Sequence, residues 1–269
     1  MLFIDGIATH LYRSACDTGC TIFALNHERS RQSGFKTSVP TSPSPSSLEA
    51  IGRTQFKIRL ASVRGVHRQA GMLIQTRYAQ RGYGSQEFAE KANRWTIVAY
   101  DGSNPIGTLS IGFDSAAGLL CDDLYSAEID QLRASGRRVC EFIKLAVEPS
   151  TSSISSMKTL AALFHIAFIY AHTICKFDDV VIEVNPSHVN FYQRVLGFKL
   201  VGPVRTNLRV NAPANLLQGD FAYMREQLNR YGGNVELRRE VKSIYPYGFS
   251  AEEEQGILER LDVMSAPRQ

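Results

Sequence analysis

The stretch VVIEVNPSHVNFYQRVLGFKLVG, residues 180–202, changes its pattern twice within a short span. An apolar run breaks at Asn185-Pro186, a Phe191-Tyr192 pair follows, and Gly197 ends what began there. A strand running into a short helix and out into another strand points to an α/β layer arrangement. A single carboxylate, Glu183, lies in the valine run and shares one strand face with Val181 and Asn185.

The same mixture runs back along the chain. Residues 26–50 are rich in Ser, Pro and Thr without periodicity, so residues 1–52 read as a flexible leader. A short strand begins near Phe56, and Met72, Leu73, Thr76, Arg77 and Gln80 then fall at helical spacing before Gly82. TIVAY (96–100) and PIGTLSIGF (105–113) flank Asp101-Gly102-Ser103-Asn104, a hairpin pattern. A second helix ends at Gly136, VCEFIKLAV (139–147) reads as a strand, and a Ser/Thr-capped helix leads to the strand at DVVIEVN. After FKLVG the chain reads as a long irregular stretch before GDFAYMREQL (219–228). Ser250 and Glu253 open the last segment with capping-box spacing, an appended surface helix. One α/β domain over 53–230 with a helical extension over 231–269 accommodates this order.

Bulk properties narrow the function. The net charge of +4, with no block of five Lys or Arg, is too small to argue for nucleic acid, but leaves room for an acidic partner protein. Five cysteines are an odd number, and those in apolar segments read as reduced thiols of a cytoplasmic protein. Cys16 and Cys20 lack a second pair, and His165 and His172 share a helix face without a third ligand, so no metal site is expected. The N-terminus lacks the basic region of a signal peptide. The apolar helix at 159–175 falls short of a membrane span and reads as a core helix.

Strict alternation along 139–147 puts Val139, Glu141, Ile143, Leu145 and Val147 on one face, with Glu141 its only carboxylate. Burial there would raise its pKa toward the range of a general base. Cys140 points the other way and reads as a small apolar residue.

The block from Val139 to Phe198, FYQRVLGF above all, resembles the GNAT-type N-acetyltransferase fold. RYAQRGY (77–83), PIGTLSIGF, CEFIKLAV, EVNPSHVNFYQRVLGF and VNAPANLL (210–217) together make residues 56–230 similar to the N-acyl amino acid synthases and the neighbouring acyl-homoserine lactone synthases. The resemblance implies an α/β fold with a GNAT-like mixed sheet, its central parallel strands splayed and flanked by helices. It implies transfer of a long-chain fatty acyl group from acyl carrier protein to the α-amine of an amino acid, by direct attack on the thioester. No bound cofactor is implied, only acyl-(4′-phosphopantetheine) carrier protein as donor substrate. One departure bears on the donor. Acetyl-CoA enzymes of this fold carry a Gly-rich turn for the pyrophosphate, but here the chain reads EPSTSSISSMK, without glycine. Hydroxyls there suit one phosphodiester, which assigns Ser152, Ser153, Ser155, Lys158 and Arg194 to the carrier arm.

Within the resemblance Glu141 is the base or the anchor for the ammonium group; the alternative is a buried Glu paired with an Arg such as Arg77. Tyr192 protonates the departing thiolate, or else packs its ring with the hydroxyl on a carbonyl. Glu183 shares a water and a proton with Glu141, or is a satisfied strand carboxylate. Arg77 holds the acceptor carboxylate or makes a surface ion pair. Trp95 lines the acyl tunnel or packs in the core. Ile143, Leu145, Val147, Asn185 and His188 line the substrate site near the strand ends. Lys144, Lys199, Arg205 and Arg209 are further cations for an acidic carrier. Rival readings are an acyl-homoserine lactone synthase using S-adenosylmethionine, a CoA-dependent N-acetyltransferase, and a catalytically silent module binding acyl carrier protein or lipid.

Overall fold

The computed structural model describes residues 56–60, 64–80, 82, 93–148 and 153–265. The leader, with Cys16 and Cys20, and the carrier-arm candidate Ser152 lie outside them. Seven strands form one sheet in the order β1-β2-β3-β4-β5-β7-β6. They are β1 (Phe56–Leu60), β2 (Arg94–Asp101), β3 (Asn104–Phe113), β4 (Val139–Val147), β5 (Asp179–Val184), β6 (Lys199–Asn207) and β7 (Ala212–Asp220). The helices are α1 (Arg64–Ala79), α2 (Asp122–Ala134), α3 (Ser153–Phe168), α4 (Val189–Leu196), α5 (Phe221–Tyr231) and α6 (Ala251–Ser265). Every contact but β4–β5 is antiparallel.

The β4–β5 contact is the splayed pair expected from the sequence. It holds only for Val139↔Asp179, Cys140↔Val180 and Glu141↔Val181. Beyond these the strands part, while β5 stays paired along its other edge with β7 from Asp179↔Asp220 to Val184↔Asn215. The closed end of the wedge is clamped by charge. The Arg137 guanidinium holds Asp179, whose side chain is fully buried, through Nε and through Nη2 at 2.6 Å, and reaches Asp220 at 3.2 Å. Asp178 accepts the Arg138 N–H on its Oδ2 and donates its own N–H to the Arg138 carbonyl, each at 2.8 Å.

A one-residue bulge corrects the alternation expected along β4. Thr108 to Ser110 of β3 spans two steps against three on β4, Ala146 to Ile143, and Lys144 takes the left-handed φ of 55°. Before the bulge Cys140 and Phe142 face α3 while Glu141 faces away; after it Leu145 and Val147 join the α3 core and Ala146 faces away. Leu145 and Val147 therefore do not share the face of Glu141. A non-glycine residue in the left-handed region costs about 1–3 kcal/mol, so the rest of the sheet must hold Lys144 there.

Two further expectations are corrected. The "irregular" stretch after FKLVG is the β6–β7 hairpin, with β7 inserted between β5 and β6. Its Pro, Asn and Arg content hides the alternation. The C-terminal segment is more than an appended surface helix: Ile244, Tyr245 and Leu261 are core residues, and the buried Tyr245 hydroxyl donates to the Leu196 carbonyl at 2.7 Å. The Ser250–Glu253 capping box is present. Glu254 of α6 accepts from Arg225 at 2.6 Å and lies 3.2 Å from His165 Nε2, while His165 Nδ1 accepts from the Phe249 N–H. His172 Nδ1 lies 2.8 Å from the Phe177 carbonyl, so both histidines are tied into the core.

With its π-helical continuation (Ile169–Ile174), α3 contains a 19-residue stretch, Ser156–Ile174, long and apolar enough to cross a membrane; 72% of it is buried against the protein, as a core helix is. Gly197 ends α4 at φ 76°, the left-handed cap its position in the sequence suggested. Arg137→Leu should strand the Asp179 carboxylate at the closed end of the wedge and lower stability in urea unfolding by about 2–3 kcal/mol. Adding Asp179→Asn should recover part of that loss.

Candidate active site

The face of the sheet turned away from α3 carries both strand carboxylates. Glu141 pairs with Val181 across the last closed step of the wedge, and Glu183 follows Val181 on the same face. The two are diagonal neighbours where the strands begin to separate, and each is 1% exposed.

Their partners come from a loop and a hairpin. Arg133 grips Asp114 at 2.8 Å and Asp122 at 2.7 Å, which fixes the connection between β3 and α2. That loop presents the Leu120 N–H to Glu141 Oε2 at 2.8 Å. Asn207 Nδ2, at the end of β6, and Arg209 Nη2, just past it, donate to Glu183 Oε2 at 3.0 and 2.5 Å. Arg209 also binds Asp123 at 2.6 Å and the Leu120 carbonyl at 2.8 Å, closing a network over both acids.

Each carboxylate keeps one buried oxygen without a hydrogen bond among the described residues: Oε1 of Glu141 and Oε1 of Glu183. Burial, reinforced by the charge of Glu183, raises the Glu141 pKa to about 7. A carboxyl group so placed exchanges a proton near neutrality.

Tyr192 enters from the other side. It is completely buried among Phe164, Phe191 and Phe198, and its hydroxyl has no hydrogen-bond partner among the described residues. Burial, with the nearby Tyr78 phenol, pushes its pKa well above the usual value. Tyr78 belongs to α1, on the opposite face, where it packs with Leu73, Ile74, Ala146 and Ala214. The two phenols, on opposite faces of the sheet, are near enough to interact electrostatically.

The other sequence candidates distribute unevenly. Ile143 is buried on the carboxylate face, and His188 is buried in the turn after β5. Asn185 caps that turn, its Oδ1 accepting from the N–H and the hydroxyl of Ser187. Trp95 stacks on Tyr170 at 3.9 Å on the α3 side, away from the carboxylates, the packing alternative of the sequence reading. Arg77 donates to Gln80 at 2.8 Å in an exposed contact and not to Glu141. Lys158 and Arg194 are exposed; Ser153 and Ser155 fall in the first turn of α3, their side chains outside the description. Arg205 and Arg209 are committed to Glu128 and to the acids, and Lys144 is buried. Cys140 is fully buried, its thiol pushed far up by burial. Sequence reasoning missed Asn207, Arg209 as a partner of Glu183, and the Leu120 N–H, because none lies near the acids in the chain. Among the described residues no cluster of potential ligands suits a metal ion.

The chain matches the family model of the N-acyl amino acid synthase FeeM over residues 69–220. The solved structure of FeeM, an N-acyl amino acid synthase from uncultured soil microbes, is 26% identical, with a TM-score of 0.57 over 64% of this chain and 95% of that one. Looser likenesses include Escherichia coli ElaA, 10% identical with a TM-score of 0.46 over 61% of this chain and 99% of that one. Another is spermidine N-acetyltransferase from Vibrio cholerae in complex with CoA and spermine, 17% identical with a TM-score of 0.43, covering 62% and 96%. No curated protein matches. With more than half of its length matched by that model, the chain belongs to the FeeM family of N-acyl amino acid synthases, and it is an acyltransferase with a GNAT-like fold.

Proposed function

We propose that this chain moves a long-chain fatty acyl group from acyl carrier protein to the α-amine of an amino acid. The observation that carries the reading is a buried carboxylate, Glu141, held near pH 7 with one free oxygen at the last closed step of a splayed strand pair. A thioester lying in the wedge would present its carbonyl beside that oxygen. Glu141 accepts the proton of the ammonium group, the neutral amine attacks the carbonyl, and a C–N bond forms. Collapse breaks the C–S bond, and the departing thiolate takes its proton from Tyr192, whose raised pKa keeps the hydroxyl protonated. The attacking nitrogen gives up its second proton, which restores the phenol through solvent, and Glu141 returns its own proton to water. Backbone N–H groups of β4 past Glu141, no longer in register with β5, face the developing oxyanion. Glu183, tied to Arg209 and Asn207, keeps a negative charge beside Glu141 and so raises the basicity of the catalytic carboxylate.

The carrier protein, rather than CoA, is favoured by the glycine-free EPSTSSISSMK segment, and the exposed Lys158, Arg194 and Lys199 suit an acidic protein donor. The donor arm would enter beside the start of α3. Mass spectrometry of reactions containing acyl carrier protein charged with fatty acids, set against the matching acyl-CoA, tests this directly. Formation of N-acyl amino acids from the carrier-bound donor is expected; products from CoA alone would sink the donor assignment.

Glu141→Gln should lower turnover by roughly 100-fold or more while the chain stays folded. Wild-type turnover should rise with pH through about 7, and the Gln variant should lose that limb. Stability follows the same group. The folded protein binds this proton more tightly than the unfolded chain, so its contribution is complete below the ordinary carboxylate pKa and is lost as pH rises through about 7. Glu141→Gln should therefore be the more stable protein at pH 8, by about 1–3 kcal/mol, and show little difference at pH 4. Tyr192→Phe should slow single turnover by roughly tenfold to 100-fold without changing donor binding.

A further inference from the structure

The row of residues that runs across the sheet through Glu141 contains one more charged group. Arg94 of β2 pairs with Gly112 of β3, and Gly112 pairs with Glu141 of β4. Trp95, Ile111 and Phe142, the next step of the same row, all belong to the α3 core, so Arg94, Gly112 and Glu141 share the opposite face. Two strand spacings separate the Cα atoms of Arg94 and Glu141, about 10 Å. Within that row Gly112 puts no side chain between them.

That vacancy is not imposed by the backbone. Gly112 has no positive φ, and a Cβ built on it would meet only Glu141 atoms, the nearest at 3.8 Å, which is ordinary contact. Glycine inside a strand weakens it, so packing alone gives no reason for the residue here. Arg94 is partly buried, its Nε is wholly buried, and that Nε has no hydrogen-bond partner among the described residues. Burial draws its pKa down, and the Glu141 charge opposes this. A buried guanidinium N–H left unpaired is costly unless a ligand completes it. One face therefore holds an unpaired guanidinium N–H, a bare floor, and two unpaired carboxylate oxygens, those of Glu141 and Glu183.

We propose that this strip is the acceptor subsite: Arg94 binds the carboxylate of the amino acid across Gly112, while the free oxygens of Glu141 and Glu183 hold its ammonium group. This assignment rests on the acyltransfer reading above and adds to it the group that makes the acceptor an amino acid and not a simple amine. The charges match in sign and order along the row. Guanidinium and carboxylate pair bidentately through two N–H groups, which fixes orientation as well as charge. The amine is then delivered to the oxygen that must take its proton, at the step where β4 and β5 part. Arg77, bound to Gln80, is not needed for that role.

The test uses the full chain, acyl carrier protein charged with a fatty acid, and an equimolar mixture of the twenty amino acids, with products read by mass spectrometry. The acceptor used most is then compared with its methyl ester. Wild type should prefer the free acid by roughly 10- to 100-fold in kcat/KM, the worth of a hydrogen bond to a charged group. Arg94→Gln should raise KM for the acid by a similar factor, leave kcat within a few-fold, and accept acid and ester alike. Arg94→Lys should recover part of the preference. Gly112→Leu, which fills the floor, should raise KM for the acid. An undiminished acid preference in Arg94→Gln, or its loss in Arg77→Gln instead, overturns the assignment while leaving acyl transfer standing. Acylation of no amino acid by wild type overturns the acyltransfer reading, and this subsite with it.

Discussion

The Arg137–Asp179 ion pair holds the closed end of a wedge whose open end carries the chemistry. Asp179 begins β5 with its side chain fully buried, and it is neutralised by a guanidinium that also reaches Asp220 at the end of β7. Three strands are thereby fixed at one point. From there β5 remains in register with β7 while β4 departs after three pairs. A parallel pair so short contributes little ladder energy, so its geometry depends on the clamp and on the helices packed over each face.

The two faces divide the work. The α3 face is a continuous apolar core sealed by α5 and the C-terminal segment through Tyr245 and the Glu254–Arg225 pair. Burial tends to raise the Glu254 pKa, but hydrogen bonds from His165 and Arg225 outweigh it and hold the carboxyl at about 2. The opposite face tolerates charge because a hairpin and a loop bring donors to it. Glu183 is neutralised by Arg209. Glu141 receives a single backbone N–H and stays near neutrality in its titration.

The sequence disclosed this arrangement in part. The strand–helix–strand switch at 180–202 gave β5, α4 and the Gly197 cap, because each is encoded locally by Asn185-Pro186, the apolar spacing and the glycine. Glu141 stood out because it was the lone acid in an apolar strand. The bulge at Lys144 left no local mark, and the alternation rule consequently misplaced Leu145 and Val147. The β7 strand was hidden by Pro213 and its polar neighbours, although it is the partner that keeps β5 straight. Arg94 and Arg209 acquire meaning only from register across three strands and from a hairpin return, neither of which a linear pattern records.

The hitch at Lys144 also decouples the two halves of β4. Upstream, odd-numbered positions look toward the acids; downstream, odd-numbered positions belong to the hydrophobic interior beneath α3. A saturation map of this strand would accordingly show its pattern of tolerated residues slip by half a period at one position. The same residues run through this point without the bulge would have every later side chain exchanged between the two faces of the sheet.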